Sequence, residues 1–153
     1  MPTAPRQHRQ AGYQPPAVRR KEHDRRRGTA ASRGYDHRWN EFAAAIKRDR
    51  VFCDLCSTIG HETAIISNGV ADHIIPVTGP DDPLFWEPTA VWALCVACDR
   101  WKSINFDGSY GSVKNVAKDR SVAGVERRRM EIVERFRVAQ TERGVVRIPT
   151  GQP

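Results

Sequence analysis

The sequence predicts a small α+β domain that is stapled by a four-cysteine zinc site and flanked by one helix on each side. Apolar residues recur at helical spacing near residues 35–46 and again within residues 121–143, and short apolar runs bounded by turn residues lie between them. All four cysteines occur in two Cys-x-x-Cys pairs. At 153 residues the chain has room for one domain of ordinary size and some additional sequence.

The net charge of the chain is concentrated at its N-terminus. The formal net charge is +7, and residues 1–30 hold eight Lys and Arg residues against two acidic ones. This segment also contains four of the ten prolines and few bulky apolar groups, so burial could not offset an ordering cost of about 1–2 kcal/mol per residue. We predict a disordered basic arm over residues 1–30 that is attracted to nucleic-acid phosphates; a passive solubilising leader is the alternative.

Membrane insertion and export are not expected for this sequence. No apolar run approaches the roughly 18 residues that a membrane-spanning helix needs, and the Arg-rich N-terminus lacks the apolar block of a secretory signal. We therefore expect a cytoplasmic location, where thiols stay reduced.

The first half of the foldable sequence predicts a helix and a hairpin. Residues 35–46 place aromatic and aliphatic side chains on one stripe of an amphipathic helix. Residues 63–67 and 70–77 are predicted to be two strands, and the Asn68-Gly69 pair between them supplies the positive φ angles that a two-residue hairpin turn requires.

The second half predicts a loop, a strand and two helices. A loop is expected over residues 79–88, which are rich in Pro and Gly, followed by a strand over Val91–Leu94. A short helix over residues 98–105 and a long one over residues 121–143 complete the pattern. The predicted organisation has four parts: a basic arm (1–30), a zinc-bound domain (31–112), a C-terminal helical extension (113–144) and a tail (145–153).

The two cysteine pairs have the spacing of zinc knuckles. Each Cys-x-x-Cys turn can direct two thiolates at one ion, so Cys53 with Cys56 and Cys95 with Cys98 together supply a tetrahedral site. Disulfides or a redox-active pair are the alternatives, but a reducing compartment and the presence of two complete pairs favour structural Zn²⁺. A four-thiolate site is coordinatively closed, so this zinc is expected to staple the fold and not to catalyse.

A second candidate site combines residues between the two knuckles with the residue that follows the second one. Asp72 and His73 are adjacent on a predicted strand, and Asp99 lies at the start of a predicted helix. In a one-metal phosphodiesterase, carboxylates in this layout hold a hard divalent cation such as Mg²⁺ or Mn²⁺, and the imidazole deprotonates the attacking water. A hydrogen-bonded structural Asp-His pair and an ordinary helix-start acid are the alternatives.

The motifs that frame this site follow one order along residues 32–104. They are Arg33-Gly34-Tyr35, Trp39, Cys53-x-x-Cys56, Ala71-Asp72-His73-Ile74-Ile75-Pro76, Leu94-Cys95-x-x-Cys98 and Lys102-Ser103. In this order they resemble the small HNH endonucleases that are common in phages and bacteria. The resemblance implies a ββα-metal nuclease core, DNA as the partner and metal-dependent hydrolysis of phosphodiester bonds.

The resemblance also implies roles for single residues. Asp72 corresponds to the family's ligand for the catalytic divalent metal, and His73 to its general base. Asp99 takes the place of a second metal ligand. Lys102 and Arg33 are the expected contacts to nucleic acid.

The sequence departs from the family's pattern at two positions. The family usually has His as a metal ligand where this chain has Asp99, a change that favours Mg²⁺ or Mn²⁺ over softer ions. Ala90 stands where the family has an Asn that braces the loop between the strands, so Thr89 or Glu87 would have to brace it. Two rival functions follow: a DNA-binding module that has lost catalysis, and a zinc-ribbon adaptor that contacts phage packaging proteins. A phage-encoded chain would act in the cytoplasm of the bacterial host.

Overall fold

The computed structural model describes residues 28–107 and 119–144, together with residues 18, 21, 22 and 25. Nearly all of the predicted arm (1–30) and the whole predicted tail (145–153) lie outside the described residues. Within the described ranges, no helix is long and apolar enough to cross a membrane.

The fold is α+β, as predicted. Its helices and strands are α1 (His37–Asp49), α2 (Asp54–Ser57), β1 (Val70–His73), β2 (Val91–Leu94), α3 (Val96–Asn105) and α4 (Val122–Glu142), with 3-10 turns at Ala31–Arg33 and Pro88–Ala90. The two strands and α3 form a ββα unit, which α1 precedes and the long helix α4 follows. The predicted first helix, the strand predicted over Val91–Leu94 and the predicted last helix are confirmed, whereas the strand predicted over residues 70–77 is shorter and ends at His73.

Helix α1 is fixed by its cap and by one apolar face. The side chain of Asp36 accepts hydrogen bonds from the backbone N–H groups of Arg38 and Trp39, which satisfies two donors that a helix start leaves free. Trp39, Ala43 and Ile46 are buried on the core side. This spacing of three and four residues places them on one face, against the sheet.

The sheet consists of β1 and β2 in antiparallel pairing. Val70 pairs with Leu94 at one end of the hairpin, and His73 pairs with Val91 at the other. All four residues of β2 are buried, whereas β1 has only its last residue fully buried. The strand β1 is therefore partly exposed along most of its length and enters the core at its last residue, His73.

The predicted pairing of residues 63–67 with residues 70–77 is wrong. Ala64 forms only an isolated bridge with Phe52, and Ile66 is 82% exposed. β1 instead pairs with the wholly apolar strand β2, because that arrangement removes much more apolar surface from water. The Asn-Gly signal therefore marked a turn and not a hairpin.

The long loop between β1 and β2 is anchored by one buried acid. The Asp82 side chain accepts hydrogen bonds from the N–H groups of Thr78 and Leu84, and it lies 2.7 Å from the Arg120 guanidinium. Burial acts to raise the pKa of Asp82, but these hydrogen bonds and Arg120 outweigh it and lower the pKa below its usual range. Arg120 also donates to the carbonyl oxygen of Pro76, so the loop is tied to the segment before α4.

Helix α4 is attached to the core partly through its arginines. The guanidinium carbon of Arg128 lies 4.8 Å from the ring centroid of Phe106, and that of Arg129 lies 5.5 Å from the ring centroid of Trp92. Arg129 also donates to the carbonyl oxygen of Thr89 at 2.7 Å. These two arginines therefore stabilise the fold and are not free cationic groups of the surface.

Candidate zinc centre and active site

The four cysteines meet where two short helices begin. Cys53 is the N-cap of α2 and Cys95 is the N-cap of α3, and each pair spans the first turn of its helix. The Sγ atom of Cys53 accepts a hydrogen bond from the backbone N–H of Cys56. Backbone N–H groups at helix starts stabilise negative charge, so this placement suits thiolates.

The geometry of the sulfur atoms fits a zinc ion. All four Sγ atoms lie within 4.8 Å of one another, and none is in a disulfide. Cys56 Sγ lies 3.4 Å from that of Cys98 and 3.9 Å from that of Cys95. In a tetrahedral site with Zn–S bonds of about 2.3 Å, neighbouring sulfurs are about 3.8 Å apart. The cluster therefore has the ligand set, number and spacing of a structural zinc site that joins the two knuckles.

The thiols in this cluster cannot all ionise without a cation. A hydrogen bond from Cys98 is the main cause that lowers the pKa of Cys53 to about 5, whereas burial raises the pKa of Cys56 to about 11. The hydrogen bond to Cys53, followed by burial, raises the pKa of Cys98. One thiolate is thus stabilised at the expense of its neighbours, and a bound Zn²⁺ would supply the positive charge that four thiolates require.

Two residues that the sequence analysis did not single out hold the first knuckle against the sheet. The carboxylate of Asp54 accepts hydrogen bonds from the backbone N–H of Ala93 at 2.8 Å and from Arg50 at 2.9 Å. Arg50 also donates to the carbonyl oxygen of Val91 at 2.7 Å. The spacing of Arg50 and Asp54 is an i,i+4 signal, but only the fold shows that they brace the zinc centre against β2.

His73 ends β1 among aromatic side chains. It is only 3% exposed, and its ring stacks on that of Trp39 with the centroids 4.8 Å apart. Its Nε2 atom lies 3.0 Å from the carbonyl oxygen of Phe85. Because a carbonyl oxygen only accepts, Nε2 carries the proton and the lone pair of the neutral ring is on Nδ1. Burial lowers the pKa of His73, so the ring is neutral at pH 7.

Asp72 forms an ion pair with a buried lysine. Successive side chains of a strand point to opposite faces, so Asp72 and His73 are directed apart. The Nζ atom of Lys102 lies 2.7 Å from Oδ2 of Asp72 and 2.7 Å from Oδ2 of Asp107, and the Lys102 side chain is 0% exposed. Burial acts to lower the pKa of Lys102, but the two carboxylates outweigh it and raise the pKa, so the ammonium stays charged.

The buried position of Lys102 differs from the surface position that a contact to nucleic acid would require. A fully buried ammonium that pairs with two carboxylates does not face a phosphate group outside the protein. Asp107, which holds it, follows the end of α3 and carries no sequence signal that would have identified it. The sequence pattern indicated the position of a basic residue on α3 but not the direction of its side chain.

Asp99, on the same helix as Lys102, interacts electrostatically with this lysine and with its two partner acids. Burial raises the pKa of Asp99, and the negative charge of Asp72 raises it further. We name the group of Asp72, Asp99 and Asp107 around Lys102 the acidic pocket.

The acidic pocket does not fit a divalent ion as it is arranged. Its carboxylate oxygens are suitable ligands for Mg²⁺ or Mn²⁺. However, in the described ranges the four cysteines are the only group of three or more acidic, His or Cys side chains whose ligand atoms are close enough to share an ion. Such an ion would need Oδ2 of Asp72, and this oxygen is already paired with the ammonium of Lys102.

The other residues named in the sequence analysis lie in the turn before α1 and in the turn before β2. The guanidinium of Arg33 lies 5.5 Å from the ring centroid of Tyr35, just before α1. Ala90 is buried, and its carbonyl oxygen accepts a hydrogen bond from the N–H of Ile74 at 2.8 Å. The side chain of Glu87 accepts hydrogen bonds from the backbone and hydroxyl of Thr89, so these two residues brace the turn before β2.

The chain matches no protein-family model, and no match to it is found among curated proteins or among solved structures. The structure itself provides the coarse part of the resemblance to HNH endonucleases. It has an antiparallel strand pair followed by α3, with a four-cysteine cluster that joins two knuckles.

Proposed function

We propose that this chain is an HNH-type endonuclease that hydrolyses phosphodiester bonds in DNA, with His73 as the general base. The observation that carries the proposal is the state of His73 within a zinc-stapled ββα unit. Its ring is neutral and stacks on Trp39, and its Nε2–H donates a hydrogen bond to the carbonyl oxygen of Phe85.

A general base needs a free lone pair, a fixed orientation and a pKa that leaves it unprotonated at working pH. The Phe85 carbonyl oxygen fixes the tautomer of His73, so the proton of an attacking water would pass to Nδ1. A positioned base of this kind contributes about 10²–10⁴-fold to the rate. Burial lowers the pKa of His73, so activity should extend to lower pH than with an ordinary histidine as the base.

The expected partner is DNA because of the basic N-terminal segment. Residues 1–30 carry eight of the 25 Lys and Arg residues. Binding to phosphates releases counterions and does not read the base sequence. The arm is therefore proposed to raise affinity for DNA without choosing its sequence.

The test of catalysis is a plasmid-nicking assay on the zinc-loaded full chain, with Mg²⁺, Mn²⁺, Ni²⁺ or no added metal. His73→Gln is the informative variant, because an amide can still donate to the Phe85 carbonyl but cannot accept a proton from water. We expect cleavage to fall by at least about 100-fold. His61→Gln is the matched control, because His61 is an exposed loop histidine, and it should cleave at the wild-type rate.

Zinc content and melting temperature of both variants establish that each is folded. Replacement by Ala is less informative at position 73, because it would also remove the stacking on Trp39 and leave a cavity. Wild-type cleavage by a folded His73→Gln protein would show that another residue is the base or that the nicking belongs to a contaminant.

The test of the arm is removal of residues 1–30. DNA affinity should fall, and the slope of log affinity against log salt should flatten by about 0.9 for each duplex phosphate that the arm neutralises in the full chain. Sequence preference should stay the same. An unchanged slope would identify the segment as a passive leader.

A DNA-binding module without catalysis is the second candidate. One observation favours it: Lys102 Nζ lies 2.7 Å from Oδ2 of Asp72, the residue expected to hold the catalytic metal. If the wild-type chain cleaves DNA with none of these metals, yet binds DNA through the arm, this second function replaces the first.

A further inference from the structure

We propose that the ammonium group of Lys102 is the built-in cation of the acidic pocket, and that a divalent ion can bind Asp72 only by displacing it. This inference goes beyond the proposed function, because it concerns which cation occupies the pocket whether or not the chain cuts DNA.

The first observation is the position of Lys102. Its Nζ atom lies 2.7 Å from one oxygen of Asp72 and 2.7 Å from one oxygen of Asp107, while the side chain is 0% exposed. A positive charge at hydrogen-bond distance from two carboxylates neutralises them in the way a bound metal ion would. A divalent ion at the same oxygen of Asp72 would lie close to the ammonium and would be repelled by its charge.

The second observation is that the pocket contains more acceptor capacity than one ammonium uses. The Oδ1 atom of Asp107 is buried, and no hydrogen-bond donor from the described residues reaches it. Asp99 interacts electrostatically with Asp72, Lys102 and Asp107 and adds a third carboxylate. Asp72 and Asp107 each place one oxygen 2.7 Å from Nζ, so a divalent ion that takes the position of the ammonium would meet two oxygen ligands of the kind it prefers.

These two observations together predict a competition within the protein. With Lys102 present, a divalent ion must expel a buried, doubly paired ammonium and is repelled by its charge until it does. Without Lys102, Asp72 and Asp107 lose the ammonium that pairs with both of them, and an ion that binds there relieves the mutual repulsion of the acids. The affinity of the pocket for divalent ions is thus set by Lys102 as much as by the carboxylates.

The test compares Mn²⁺ binding by the zinc-loaded full chain in wild type, Lys102→Met and Lys47→Met. Methionine keeps most of the length of the side chain and removes its charge. Lys47 is the matched control, because its Nζ atom donates to the carbonyl oxygen of Gly69 and has no role in the acidic pocket. Binding is followed by the loss of the electron paramagnetic resonance signal of free Mn²⁺, with the zinc content measured before and after each titration.

We expect Lys102→Met to bind Mn²⁺ at least tenfold more tightly than wild type, and Lys47→Met to bind it like wild type. Adding Asp72→Asn to Lys102→Met should remove the gain. If folded Lys102→Met binds Mn²⁺ no more tightly than wild type, the inference is overturned.

The inference can also be tested if the Lys102→Met protein does not fold. In that case millimolar Mn²⁺ should restore the fold, measured by the circular dichroism of the tryptophans, because an ion bound only to the native state stabilises it. Failure of Mn²⁺ to restore the fold would overturn the inference. Tighter Mn²⁺ binding without any DNA cleavage would support the inference while contradicting the nuclease proposal, and His73-dependent cleavage with equal Mn²⁺ affinities would do the reverse.

Discussion

The zinc centre and the acidic pocket share helix α3, where Cys98 and Asp99 are consecutive residues. In the zinc centre four sulfur donors lie within 4.8 Å of one another and leave the cation to be supplied from outside. In the acidic pocket the carboxylates surround a lysine whose ammonium is 2.7 Å from two of them. The four thiolates of the zinc centre therefore depend on a metal ion for their charge balance, whereas Asp72 and Asp107 are already paired with the ammonium of Lys102.

The two regions also differ in what holds them. The zinc centre joins α2 and α3, which are far apart in the sequence; without an ion the thiols contact one another weakly, and Asp54 ties α2 to the backbone of β2. The acidic pocket is closed by direct ion pairs between β1, α3 and the residue Asp107. We therefore expect that removal of zinc disrupts the zinc centre, whereas removal of divalent ions leaves the acidic pocket intact.

The largest expected effect is the loss of zinc. Cys95→Ser, or a high-affinity zinc chelator, should unfold the core, because structural zinc contributes on the order of 10 kcal/mol, comparable with the whole stability of a domain. Elemental analysis should find one zinc per folded chain, and circular dichroism should report the unfolding. Removal of Mg²⁺ and Mn²⁺ is the control and should leave the fold intact. A folded, reduced sample without zinc would contradict the assignment of this centre.

The next largest effect is expected at the ion pair of Asp82 with Arg120, which anchors the loop between β1 and β2. Asp82 pairs with Arg120, and its pKa is lowered in the folded state. Because the folded pKa is below the unfolded one, this stabilisation is complete above about pH 4 and is lost as the pH falls through the folded pKa. Asp82→Asn should cost about 1–3 kcal/mol at pH 7 and much less at pH 2.

Urea unfolding at the two pH values measures this difference. Asp81→Asn is the matched control, since Asp81 is the exposed neighbour of Asp82, and it should change stability little at either pH. An equal loss of stability at pH 7 and pH 2 in Asp82→Asn would show that the charge of Asp82 is not what anchors the loop.

The smallest effect tests the ligand chemistry of the acidic pocket. Asp99→His adds an imidazole, which suits Ni²⁺ and Co²⁺ better than Mg²⁺. In both metal binding and the nicking assay, the preference for Ni²⁺ over Mg²⁺ should rise by about tenfold, or about 1.4 kcal/mol. Asp81→His is the control for a new surface histidine. No change in the ranking of metals would leave Asp99 as an ordinary acid near the start of a helix.

The parts of the fold that the sequence predicted correctly depend on neighbours in the chain. The stripe that includes Trp39 and Ile46 predicts α1 because helical spacing is local, and the apolar run Val91–Leu94 predicts β2 for the same reason. The pairing of residues 63–67 was predicted wrongly, because the Asn-Gly turn is a local signal and the choice of a strand's partner is not.

By itself the sequence determined the ligands of the zinc centre, since two Cys-x-x-Cys turns fix which sulfurs converge whatever lies between them. It also predicted that Asp72 and Asp99 lie near each other, and in the structure the two acids interact electrostatically. Only the tertiary structure decided what fills the space between them. Lys102 turns inward because burial against Asp72 and Asp107 satisfies its charge, and both partners come from other parts of the chain than its own helical turn. Spacing along a chain records which groups can meet, whereas the cation that occupies a site depends on every element packed around it.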